Sequence, residues 1–267
     1  MTNPLVYKDN SDLLPEDHKF KISPSKFANF VTRPHDWYRS EILKEDVFTG
    51  NTSSVLGTVC HHIAEVVAKE QPVDKSIIEE YIALKQPSEE YDPDIVSANY
   101  MAMSERLVND YVLENMSKYF EIEKFHYAEV DNGYYVAGTA DFLEGSKGDC
   151  LIGDYKTYNS KTKPRAIPMN YKYQLLTLAY LLRANGYNPT RIRLVYINRH
   201  IKGQISEKTG KQMKSYPPEV TVLTETITDD DFEFIESLLN LCVDSCEASK
   251  AHPELTHVIW HDNRLKV

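Results

Sequence analysis

Apolar positions recur at helical spacing through the first part of the chain and then switch to strand-like runs. In "SSVLGTVCHHIAEVVAKEQ" (53–71), Val55, Val59, Ile63 and the pair Val66-Val67 fall on one face, which predicts a helix. "SPSKFANFV" (23–31) opens with a serine cap and a proline in its first turn, so a short helix is expected there. Pro34 starts another through "HDWYRSEIL", and 74–84 and 93–119 read as two more. The pattern then changes. "FEIEKFHYAEV", "GYYVAGTADFLEG" and "CLIGDYKTYN" are β-rich and separated by "DNG" and "GSKGD". "DNG" is a hairpin signal, because Asn and Gly tolerate positive φ. "NYKYQLLTLAYLLRANG" (170–186) is an apolar helix stopped by glycine, "RIRLVYINRH" (191–200) a strand, 202–218 a polar loop and "EVTVLTETI" a further strand. Residues 228–250 begin with a cap and three acids, the signature of a helix start.

The order is helices, three strands, a helix, two strands and a helix. It predicts an α/β fold, a mixed central β-sheet flanked by helices with a helical N-terminal region. No linker-like stretch divides the chain. One domain over 23–250 is expected, preceded by a polar, loosely ordered lead-in (1–22) and followed by a tail (251–267). With 267 residues and 42% hydrophobic content, the composition is that of an ordinary globular protein. No apolar run approaches the ~18–20 residues of a membrane span, so no membrane partner is expected. The first twenty residues lack the basic start and apolar core of a signal peptide. Four cysteines (Cys60, Cys150, Cys242, Cys246) do not make a disulfide framework in a chain this long, and a reducing cytoplasm is expected.

Charge changes the picture. The net charge is −10, yet residues 155–217 hold 13 Lys and Arg and one acid, Glu207. That segment is +12 and the remainder −22. Eight tyrosines lie in the same segment. Basic residues interleaved with aromatics suit the phosphates and bases of a nucleic acid strand. The competing reading is a solvated basic edge with tyrosines in the core.

The candidate chemistry centres on "IGDYKT" (152–157). Asp154 and Lys156 are two apart in an apolar strand, so they project from one face. Asp141, in "GTAD", lies 13 positions earlier. If the two segments are neighbouring strands, the carboxylates meet at one end of the sheet. Two carboxylates and a lysine there make a hard oxygen site for Mg²⁺ or Mn²⁺, able to generate a hydroxide and neutralise a phosphate. The lysine would orient the water or stabilise developing negative charge. Asp-x-Lys alone is nearly uninformative, and a second copy, Asp17-His18-Lys19, sits in the lead-in. The competing reading is an ion pair capping a sheet edge. His61, in "GTVCHHIAE", is a candidate ligand on a helix upstream, and Gln174 opens the helix after the strand, where its amide can hold a phosphate or lock the lysine.

Four segments together resemble the PD-(D/E)-x-K nuclease superfamily, in particular its RecB-like branch. "ISPSKFANFVTRPHDWY" is similar to the opening helix of that branch, "GTVCHHIAE" to its Gly-x-x-x-His-x-x-x-Glu motif, "GTADFLE" to the strand of the first acid, and "GDYKT" to its Asp-x-Lys-Thr strand. The resemblance runs from about residue 22 to 185. It implies a restriction-endonuclease-like core, with His61, Asp141, Asp154 and the Tyr155 carbonyl holding Mg²⁺ or Mn²⁺ and Lys156 positioning the attacking water. It further implies a deoxyribonuclease leaving 5′-phosphates, an exonuclease in preference to a site-specific enzyme, of stand-alone, recombination or phage type, with DNA and possible recombination or phage proteins as partners. Members often carry Gln-x-x-x-Tyr on the following helix, whereas here Tyr180 stands six positions after Gln174 and Leu178 takes the expected place. Some members bind an iron–sulfur cluster. Here Arg33 precedes the proline and no cysteine follows Cys246, so no cluster is expected. His35, His252, His257 and His261 are not expected to form a replacement metal site. Lys161, Lys163 and Arg165, just after the strand, and Lys172 on the next helix are the expected phosphate contacts. The alternative is a nuclease-fold module that binds DNA or protein without cutting.

Overall fold

The computed structural model describes residues 3–5, 10–45, 51–84, 87–88, 91–158, 163–199, 208–211 and 216–260, with backbone alone at 257–258. The long strand β3 (Tyr134–Ser146) is the spine of a six-stranded mixed sheet. One edge of β3 is taken along its length by β2 (Tyr119–Asp131), which runs antiparallel to it. The hairpin between them turns at Asn132 (φ 51°) and Gly133 (φ 82°), the two positive-φ positions that "DNG" predicts. The other edge of β3 is shared. The short strand β1 (Phe20–Ile22) runs parallel to Tyr134–Val136, and β4 (Asp149–Tyr158) runs antiparallel to Phe142–Ser146. Beyond β4 lie β5 (Pro189–Asn198), parallel to it, and β6 (Val220–Thr226), antiparallel to β5.

Helices cover both faces. On one pack α1 (Pro24–Thr32), α2 (Pro34–Trp37, continued by a π turn to Ile42), α7 (Met169–Ala184) and α8 (Asp229–Ala251), around Ile152, Leu176, Leu194 and Leu239. On the other pack α3 (Thr52–Ala68), α4 (Lys75–Ala83) and α5 (Pro93–Leu107), around Val59, Ile63, Met103, Leu151 and Val195. A π turn carries α5 on to α6 (Leu113–Asn115) and the start of β2. The long helix expected over 93–119 is thus a composite, and β2 begins where it was expected to end. β4 and β5 have buried residues on both faces, which explains why their apolar runs are near-continuous. Among the described residues no helix is long and apolar enough to cross a membrane, and all four cysteines are free and buried.

The structure differs from the sequence reading at both ends. The lead-in supplies β1, which is too short to show any period, and its Ile22 is buried in the core. Past residue 250, the chain adds α9 (Thr256–Ile259) and turns Trp260 inward. The indole stacks on Trp37 and Tyr38, with ring centroids 5.5 and 4.9 Å away, and meets Phe30 edge-on. One large ring gains more from burial than its short polar surroundings lose by being ordered. Most of the polar loop expected over 202–218 lies outside the described residues.

What positions the functional end of the sheet is a fork. β3 and β4 are paired from Ser146↔Asp149 to Phe142↔Gly153, and there the ladder stops. Residues 137–141 of β3 have no strand on that edge among the described residues. Gly153 allows this last pair to close. A Cβ built on it falls 1.9 Å from Cζ of Phe142, whose ring is buried against Tyr119 and Tyr155. Gly153→Ala is therefore expected to destabilise the fold by about 1–3 kcal/mol, the usual cost of overpacking. Denaturant unfolding measures it, and adding Phe142→Leu should recover part of the loss. An unchanged midpoint in the single variant would show that the ring moves aside freely.

Candidate active site

The register of the β3–β4 ladder makes Asp141 and Asp154 the next pair after Phe142↔Gly153, the first that the fork leaves unjoined. The Tyr155 amide, with no β3 carbonyl opposite, donates instead to Oδ2 of Asp141 at 2.6 Å. This bond ties the two strands at the mouth of the fork. The Tyr155 ring is held below it among Tyr111, Tyr119 and Phe142.

Two helices complete the cluster. Asn51 and Ser54 form a capping box that starts α3, and two turns later His61 places Nδ1 3.2 Å from Asp141 Oδ2. From α7, Gln174 donates to Asp154 Oδ1 at 3.3 Å. Lys156 Nζ stands 2.7 Å from each oxygen of Asp154 and donates to Oδ1. It also lies 5.5 Å from the centroid of the Tyr171 ring, close enough for a cation–π contact. Asp154 is only 2% exposed, and its Oδ2 accepts no well-directed hydrogen bond. His61, Lys156, Thr157, Tyr171, Ser54 and Glu123 line an open cavity of about 590 Å³ beside the fork.

Glu123 is the residue the sequence reading missed. It stands on β2 across from Asp141, between the pairs Ile122↔Phe142 and Lys124↔Ala140. Glu123, Asp141 and Asp154 thus form one row of carboxylates across three strands. The backbone of Glu123 is left-handed (φ 52°), a strain that non-glycine residues rarely carry and that collects at functional sites. Among the described residues nothing gives its side chain a hydrogen bond or ion pair. "FEIEKF" shows two glutamates alternating with apolar residues, an ordinary solvated pattern. Only the register singles out the second.

The charges compete. At Asp141, burial favours the neutral acid, but His61, Lys156 and the Tyr155 amide outweigh it and hold its pKa low. At Asp154, burial and Asp141 outweigh Lys156 and His61, and the pKa is raised. Burial works against the cationic forms of His61 and Lys156, yet the carboxylates beside them win and raise both. For Glu123, burial, then Asp141 and Glu65, push the pKa up to about 9. The site holds more carboxylate than its neighbouring cations balance.

Among the described residues no three His, Cys, Asp or Glu side chains already converge as a metal-binding group. Asp141 is turned to His61 and the Tyr155 amide, and Asp154 to Lys156. The donor set nevertheless fits a small divalent cation. It offers two carboxylates, an imidazole and a buried Asp154 oxygen that accepts no well-directed hydrogen bond, in a cluster with surplus negative charge.

The other expected contacts are dispersed. Lys163 pairs with Glu219 at 2.5 Å and Lys172 with Glu225 at 2.9 Å. Arg165 is exposed, and Lys161 lies outside the described residues. Tyr180 is away from the fork, in a groove between α7 and α8 with Arg183 and Phe232.

The Glu123 shift has a consequence for stability. The unfolded chain ionises this group near 4.5, whereas the folded protein holds the proton to about 9. Between those values folding requires proton uptake, so the contribution of Glu123 to stability falls as pH rises. Glu123→Gln, which cannot ionise, should melt higher than the wild type at pH 8 in EDTA, with the gap closing toward pH 5. A gap that is constant with pH would remove the buried-acid assignment.

The PD-(D/E)XK nuclease superfamily model matches residues 21–251. No curated protein matches the chain. Among solved structures, the chain is similar to "Putative exonuclease" from Eubacterium rectale, at 11% identity over 95% of this chain and 86% of that one, with a TM-score of 0.49. It is also similar to SSO0001, at 15% identity over 86% and 80% and a TM-score of 0.34. A third is LHK-Exo in complex with dAMP, at 13% identity over 74% and 93% and a TM-score of 0.34. The family match spans all of the sheet but the first residue of β1, both helix layers and every residue of the fork, and the chain belongs to the PD-(D/E)XK nuclease superfamily.

Proposed function

We propose that the protein is a divalent-metal-dependent deoxyribonuclease that acts as an exonuclease in DNA processing in the cytoplasm. The observation that carries this reading is the meeting of Asp141, Asp154, His61 and Lys156 at the mouth of the β3–β4 fork, where the buried Oδ2 of Asp154 is met by the Lys156 charge alone and by no well-directed hydrogen bond. Asp141, Asp154, His61 and the Tyr155 carbonyl would hold Mg²⁺ or Mn²⁺, which when bound neutralises phosphate charge and makes water acidic enough to attack. Lys156 keeps its charge beside Asp154, so its ammonium can orient the attacking water and stabilise charge on the phosphate. Gln174 fixes Asp154, and through it Lys156, by the hydrogen bond from α7. Preference for ends over internal sites rests on the resemblance to the RecB-like branch, as do a 5′-phosphate product and recombination or phage proteins as partners.

End-labelled single- and double-stranded DNA, linear and circular, incubated with Mg²⁺, Mn²⁺ or EDTA, tests the reading. Cleavage of linear but not circular DNA, abolished by EDTA, is the expected result. Lys156→Ala and Asp154→Asn should each lower the rate by at least about 100-fold, the range for losing one preorganised charge-stabilising group, while circular dichroism stays native. His61→Ala should lower activity and shift the metal preference toward Mg²⁺, because imidazole favours transition metals. His62, which follows it about 100° around α3, should tolerate the same change. DNA binding by the wild type without cleavage under any metal would instead identify a nuclease-fold binding module.

A further inference from the structure

We propose that Arg199 and the first turn of α3 form a subsite for a backbone phosphate of the DNA strand, adjoining the scissile linkage. This rests on the nuclease reading and deepens it. In the basic segment, most of the described cations are already neutralised. Lys163, Lys172, Arg183, Arg191 and Arg193 each hold a carboxylate within 2.5–3.5 Å. Arg199 differs. Among the described residues no acid and no hydrogen-bond acceptor meets its side chain, although its Nε is buried. Desolvation lowers its pKa, and among the described residues no charge offsets it. The side chain as a whole is only half-buried, but a guanidinium nitrogen withdrawn from water without a partner is costly. Its planar fork of donors matches the oxygens of a carboxylate or a phosphate, and of the two a phosphate is what a nuclease substrate brings.

Its position fits that ligand. The pair Tyr158↔Asn198 brings the ends of β4 and β5 together, and Arg199 follows directly, its amide bonded to the Tyr158 carbonyl at 2.8 Å. Arg199, Ser53, Leu56, Thr157 and Tyr158 line a cavity of about 80 Å³. Ser53 and Thr157 also line the cavity that holds His61 and Lys156, so the two spaces adjoin. Ser53 belongs to the first turn of a 17-residue helix with no acid in that turn, where the helix's partial positive charge is concentrated. A strand whose scissile phosphate sits at Asp141 and Lys156 would therefore set a neighbouring phosphate between Ser53 and Arg199.

The test is fluorescence anisotropy of the full chain with a 5′-fluorescein oligonucleotide, Ca²⁺ replacing Mg²⁺, at several salt concentrations. A set of oligonucleotides carries one neutral methylphosphonate linkage at successive positions. Arg199→Ala should weaken binding about tenfold, as loss of one charge-assisted contact does, and flatten the salt slope by about 0.7 for a single strand. In the wild type one methylphosphonate position should cost a similar factor, and in Arg199→Ala that position should cost nothing. Arg199→Lys should keep part of the affinity. The melting temperature of Arg199→Ala should equal or exceed that of the wild type, since an uncompensated charge is removed; a group held for structure would lower it. Should the alanine variant not fold, Arg199→Gln serves in the same series. Wild-type affinity and slope in a folded variant would overturn the proposal, as would a position-specific methylphosphonate loss that persists without the arginine. Failure of the nuclease reading would show in the wild type itself, as absence of DNA binding and cleavage, whereas failure of this inference shows only in the variants.

Discussion

Everything at the functional end of this protein depends on where one β-ladder stops. β3 and β4 part immediately after Phe142↔Gly153, the last pair, which a glycine under an aromatic ring allows to close, while β4 stays paired with β5 to Tyr158. Two strands that remained paired would bury their polar backbone against each other. Parting them releases the Tyr155 amide, and a released amide in an interior must find an acceptor. It finds Asp141. The carboxylate thereby becomes part of the backbone's own hydrogen-bond account, which fixes its position more firmly than side-chain packing alone would.

The same divergence sets the electrostatics. Three carboxylates stand in one cross-strand row, and they have Lys156, His61 and the more distant Lys69 to balance them. In water such a row would be trivial. In a partly desolvated cleft the titrations are forced apart: the pKa of Asp141 is held low, that of Asp154 is raised by burial and by Asp141, and Glu123 keeps its proton to about 9. A cluster in this condition is unfavourable for folding, and perturbed titratable groups of this kind concentrate at functional sites.

The sequence made the strand and helix order legible because most elements are long and either periodic or continuously apolar. It also made Asp141, His61, Asp154 and Lys156 legible, because each sits in a short motif with its own local signature. Glu123 had none. Its significance comes from standing across from Asp141, and register is a property of two strands together. β1 and Trp260 were missed for a related reason. Three residues of strand and one tryptophan in a polar tail carry no pattern, and what fixes them is the partner surface, Tyr134–Val136 in one case and Trp37 with Tyr38 in the other.

Charge counting met the same limit. The +12 segment drew attention to Lys163 and Lys172 because they are close in sequence to the Asp-x-Lys strand. In the fold both are met by glutamates of the β6 region, Glu219 and Glu225, which lie outside that segment. A segment's net charge therefore says little about the field at any one point. What counts for a phosphate is a cation whose desolvation has been incurred and whose charge has not been spent on a neighbour. By that criterion Arg199, at the end of the strand adjoining the fork, differs from Lys163 and Lys172, and also from Lys156, which Asp154 holds at 2.7 Å; the cavity beside Arg199 shares Ser53 and Thr157 with the one at the fork. If the chain binds nucleic acid as proposed, the net negative charge outside residues 155–217 disfavours contact elsewhere on its surface.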